Sequence, residues 1–109
     1  MSHTIETAKI FLPADAIEYT DGSVVSKMIV KKPTGNITLF AFDKSEGLSE
    51  HSSPHEALVQ LLDGTAEIII GGSSQVVTMG QAIILPANIP HSLRAKEKFK
   101  MMLTMIKSQ

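Results

Sequence analysis

The 109-residue chain contains no cysteine. That excludes disulfides, thiolate metal sites and a cysteine nucleophile, and it fits a reducing compartment. Neither charge sign dominates, with 10 Lys and Arg against 11 Asp and Glu. Bulk electrostatics therefore give no reason to expect nucleic acid as a partner. The Lys96, Lys98 and Lys100 cluster reads as a solvated strand face. No apolar stretch is long enough to span a bilayer. The segment Met1–Glu6 lacks the basic region and apolar run of a secretory leader. A cytoplasmic protein without membrane contact is expected. No window has a sustained helical period; only residues 13–18 suit a short helical turn, with Pro13 at a natural first position. There is no repeat of solenoid length.

What the chain does have is regular turn punctuation between runs of strand length. Asp21-Gly22, Pro33-Thr34-Gly35-Asn36, Lys44-Ser45-Glu46-Gly47, Ser52-Ser53-Pro54, Asp63-Gly64, Gly71-Gly72, Gly80 and residues 86–90 mark the turns. Between them lie β-rich runs over 24–30, 37–42, 57–62, 66–70, 76–79, 82–85 and 99–106. Short strands with even turn spacing predict an all-β barrel or sandwich of one domain over 1–109. Asp63-Gly64 and Gly71-Gly72 have the chemistry of tight hairpins. Leu58 and Leu62 alternate with Val59 and Leu61, so both faces of that strand are apolar. A strand covered on one side alone should alternate. The outer cover is expected to be a second subunit, making a homodimer.

Four histidines are present. His3 is set aside as terminal. His51 and His55 flank Ser-Ser-Pro, and His91 follows after residues 86–90. Imidazoles from one segment and a distant strand suit a divalent transition metal such as Mn, Fe, Ni or Zn. The flanking residues add a resemblance. Gly80, Pro86 and His91 stand in the spacing of the second cupin motif, with Asn88 where glycine is usual and Ala95 where asparagine is usual. Gly47 to Gly64 resembles the first motif, with His51 at its first histidine. Ser53 occupies the second histidine position and Ala57 the glutamate position. The resemblance spans about residues 35–106 and implies a jelly-roll (cupin) barrel, usually dimeric. Many such barrels hold one metal on three histidines and a glutamate.

Two of those four positions have lost a strong ligand. His55 is the nearest substitute, because alternation fails in the Ser-Ser-Pro bend; Glu56 is one residue off and is expected to face away. The expected function is therefore binding of a small molecule inside the barrel, centred on His51 and His91, without a complete metal site. Ser53, Met28, Phe40, Val59, Met101 and Met105 are the expected pocket residues, with Phe42 and Met102 as alternates in their pairs. One alternative is a metal-dependent dioxygenase or isomerase using His51, His55 and His91. Another is metal-free acid–base chemistry resembling the sugar epimerases, for which no orienting carboxylate is evident. The sequence leaves open whether the protein is an enzyme.

Overall fold

The structure, a computed structural model, describes residues 5–107, so His3 lies outside the described residues. A single 3-10 turn at Pro13–Asp15 precedes eight strands. They are β1 (Val24–Lys32), β2 (Gly35–Phe42), β3 (Gly47–His51) and β4 (Glu56–Ile70), then β5 (Ser73–Thr78), β6 (Ala82–Leu85), β7 (His91–Arg94) and β8 (Phe99–Ile106). Their order is β1-β2-β8-β4-β7-β3, with β5 and β6 also pairing to β4. All pairs are antiparallel, and the sheet curls into an all-β half-barrel. No helix among the described residues is long and apolar enough to cross a membrane.

β4 belongs to both walls. Its first half pairs with β8 and β6, and its second half with β5 and β7. This corrects the expected hairpin at Asp63-Gly64. The strand runs unbroken through those residues, and the register against β8 slips between Leu61 and Asp63. A bulge inserts one residue and bends the strand. Leu61 faces inward, Leu62 and Asp63 both face outward, and Ala66 faces inward again. Gly64 takes φ +75° there, and a Cβ on it would meet the Lys98 carbonyl oxygen at 2.1 Å. The residue chemistry of a tight turn has been used for a corner. Gly71 and Gly72 do form the expected two-residue hairpin, with φ of 56° and 83° joining β4 to β5.

Directly opposed residues of an antiparallel pair face the same side, so the register defines the barrel interior. Phe40 of β2 opposes Ser26 of β1 and Met101 of β8, which opposes Leu61 of β4. The next row runs Met28, Thr38, Leu103, Val59 and Ile83. A third runs Asn36, Met105, Ala57 and Leu85. On the second wall Ile68 and Leu93 oppose each other, as do Ile70 and His91. Both walls pack on one cluster, closed at one end by Phe42 stacked on Phe99 at 4.4 Å between centroids.

The outer face of the first wall is covered in part by the chain itself, which corrects the expectation of a subunit as its whole cover. Ala16, Ile17, Tyr19 and Ile5 pack on Leu39, Ala41, Leu62 and Met102. Tyr19 donates to Asp63 at 2.6 Å, and Lys100 and Lys27 donate to the carbonyls of Ala14 and Ala16. Lys98 and Lys100 lie over the Tyr19 ring. The lysine cluster is thus not simply a solvated face, since two of its members clamp the N-terminal segment.

Candidate functional site

β3 and β7 carry the two histidines that meet. Leu48 opposes Leu93, but three residues along β3 and only two along β7 separate this pair from His51 opposite His91. The bulge restores His51 to the face that Leu48 occupies, because strict alternation would turn it outward. The rings stand edge to face with centroids 4.5 Å apart. Two loops hold this end in place. The Asn88 N–H donates to the Ser53 carbonyl at 2.7 Å, and the Gly71 N–H to the Pro90 carbonyl at 2.8 Å. Asn88 adopts the left-handed conformation, φ 65°, that its place in the loop asks of a usual glycine.

Each imidazole is oriented in the same way. Nδ1 of His51 lies 2.8 Å from the Ser49 carbonyl, and Nδ1 of His91 lies 3.2 Å from the Ile89 carbonyl. A carbonyl only accepts, so both Nδ1 atoms carry a proton, and in a neutral ring so held Nε2 is the acceptor. Neither Nε2 has a partner among the described residues. Burial holds His91 below the ordinary imidazole value of 6.5. The Ile89 carbonyl opposes that effect, and the neighbouring His51 adds to it. His91 is 6% exposed, whereas His51 is open to solvent.

The other expected site residues divide. Phe40 and Met105 are half-buried on the inner face, and Met28 is 51% exposed there. Val59 and Met101 face inward but are sealed in the core, so they form the floor beneath the site and not its wall. Of the paired alternates, Phe42 also faces inward but is sealed, and Met102 faces outward. Ser53 Oγ accepts the His55 N–H at 3.1 Å, closing the bend before β4. Nδ1 of His55 is buried with no hydrogen-bond partner, and no three His, Cys, Asp or Glu side chains are grouped as a metal site among the described residues. Glu56 opposes Ile106 on the outer face. Sequence reasoning missed Asn36, Thr38, Leu103 and Ile83 on the inner wall. The first two lie four and two residues before Phe40, so period-2 counting from that aromatic was the available signal.

Residues 38–107 match the family described as Cupin domain, and the chain belongs to it. A conserved protein of unknown function from Streptococcus pyogenes, SPY1581, is 37% identical, with TM-score 0.91 over 96% of this chain and 92% of that one. A Cupin 2 conserved barrel domain protein from Leptotrichia buccalis is 42% identical, with TM-score 0.84 over 86% of this chain. This chain covers 46% of that protein. A cupin superfamily protein from Desulfitobacterium hafniense shares the fold at 23% identity, with TM-score 0.90 over 95% of each chain. No curated protein matches the chain.

The metal set that the family implies does not fit these residues. The Ala57 methyl is packed in the core and offers no donor, and the Ser53 hydroxyl is engaged in its own bend. Two donors of four remain.

Proposed function

We propose that this protein is a binding module that takes a small organic molecule into the open end of the half-barrel. The observation that carries this is the placement of His51 and His91, with pinned Nδ1 and unpartnered Nε2, on an inner face whose apolar residues are incompletely covered. Concave apolar walls with a few placed polar groups are the usual form of such sites. Metal-dependent chemistry is the second reading, supported by two imidazoles oriented as ligands commonly are. His55 would have to move to join them. The acid–base reading lacks an orienting carboxylate, since the Nδ1 partner of each ring is a main-chain carbonyl.

The test is metal content of tag-free protein after exposure to Mn, Fe, Ni and Zn, beside His51→Ala and His91→Ala. No stoichiometric metal, with fragment binding weakened in both variants, is the expected result. About one equivalent of metal lost in both variants, with oxygen uptake that depends on His51, would overturn it.

We also propose a homodimer. Leu58, Ile84 and Ile106 line an open apolar depression of about 210 Å³ on the outer face, beyond the reach of the N-terminal cover. Ile84 and Ile106 are 57% and 67% exposed. Ile10, Phe11 and Leu12 protrude from the same cover as an exposed apolar segment that a second copy can receive. Light scattering should give twice the chain mass, and Ile84→Glu should halve it. A wild-type monomer at micromolar concentration would refute the dimer.

A further inference from the structure

We infer that the ligand of this half-barrel is an uncharged, mostly apolar molecule carrying a hydroxyl or N–H donor, and that carboxylates and phosphates are excluded. This rests on the reading that the open end, at His51 and His91, is the binding site.

The first observation is the charge content of the interior. Among the inward register positions of all eight strands, only Lys31 carries a charge. It is exposed on the edge strand β1, opposite Asn36 at the rim. The loops beside the histidines, residues 52–55 and 86–90, contain no Asp, Glu, Lys or Arg. Glu50, next to His51, is exposed in the bulge of β3, and Ser92 and Arg94 lie on the outer side of this wall. An anion that passes the Lys31 rim gives up hydration and meets no cation at the other inward register positions, which is strongly unfavourable.

The second observation is the polarity of the available hydrogen bonds. With both Nδ1–H groups committed to carbonyls, each ring in its neutral form presents Nε2 as an acceptor. The Thr38 hydroxyl donates to Asn36 Oδ1 at 3.5 Å and is 8% exposed, and the other inward side-chain donors, among them Ser26, Asn36 and Gln75, stand on β1, β2 and β5 and not on the strands that carry the histidines. A ligand with an O–H or N–H satisfies Nε2. An ether or a hydrocarbon that displaces water from it leaves it unpaired. Phe40, Leu103 and Met105 then offer apolar contact to the remainder. A polyhydroxylated sugar matches poorly, because its hydroxyls would face this apolar wall without partners.

The full chain should be titrated with three probes of one shape, 4-ethylphenol, 4-ethylanisole and 4-ethylbenzoate, followed by NMR with ¹⁵N-labelled histidine. The phenol should bind about five- to tenfold more tightly than the anisole, as expected for one hydrogen bond. The benzoate should be weaker than the phenol by at least about a hundredfold. Phenol binding should move the Nε2 resonances of His51 and His91. In His51→Ala and His91→Ala the phenol-to-anisole ratio should fall toward one. Benzoate binding as tight as the phenol overturns the inference and leaves the site standing. In that case Lys31→Met shows whether the rim lysine holds the anion. Equal affinity for phenol and anisole also overturns it. If no probe and no member of a neutral fragment set perturbs the inner residues, the proposed function falls with it.

Discussion

Replacing Gly64 with alanine tests the corner that sets the two histidines over the apolar wall. Two costs add. Gly64 has φ +75°, a conformation that costs a residue with a Cβ about 1–2 kcal/mol. The new Cβ also meets backbone on β8, with the Lys98 oxygen at 2.1 Å and the Phe99 Cα at 3.0 Å. No side chain can swing away, so strand β8 itself has to shift, at about 1–3 kcal/mol by comparison with overpacked cores. The sum is roughly 2–5 kcal/mol, a large share of the ~5–15 kcal/mol typical of a domain. With a urea slope of about 2 kcal/mol/M, the middle of the usual range, the unfolding midpoint should fall by about 1–2.5 M. Gly72→Ala is the control. Its φ is +83°, but nothing lies within 4 Å of the new Cβ, so only the conformational cost applies. Equal midpoint shifts in the two variants would refute the reasoning, because the close approach of β8 would then carry no weight.

Two further predictions follow from the electrostatics. Burial keeps His91 below the ordinary value of 6.5, so the unfolded chain takes up a proton before the folded one. Its contribution is complete above the ordinary histidine range and lost as pH falls through the folded-state value. Urea melts between about pH 7 and 5 should lose stability more steeply in the wild type than in His91→Gln; identical slopes would refute this. Tyr19→Phe removes the 2.6 Å bond to Asp63 that clamps the N-terminal cover. It should cost about 1 kcal/mol and speed hydrogen exchange at Ala16, whose N–H bonds the Pro13 carbonyl. Unchanged exchange would show that Lys27 and Lys100 hold the segment alone.

The legible parts of the fold were those in which local chemistry has one meaning. Gly71-Gly72 between two apolar runs makes a hairpin, and an Asn in place of a loop glycine goes left-handed. Asp63-Gly64 has two meanings. The same positive φ serves a two-residue turn or a corner in one long strand, and only the partners on either side decide. Here residues 57–60 pair with β6 and residues 65–70 with β5, so the chain bends without reversing. β3 and β7, which carry the histidines, were not legible as strands. Gly47–His51 and His91–Arg94 contain no β-branched residue and are held by pairing to each other and to β4, not by propensity. Facing was beyond reach for the same kind of reason. The bulges at Ile29, at Leu62 and before His51 each reverse the alternation from which orientation is counted.

The orientation of the histidines is local in a way that their meeting is not. In each case the carbonyl that holds Nδ1 belongs to the residue two positions upstream, Ser49 for His51 and Ile89 for His91. Such a contact needs only an extended approach to the ring and no bound group to complete it. Both rings therefore hold Nδ1–H without help from the other two motif positions, Ser53 and Ala57. The orientation of the two histidines does not depend on donors at those positions. A pair of oriented imidazoles on an apolar wall is the arrangement on which the proposed recognition of a hydrogen-bond donor rests.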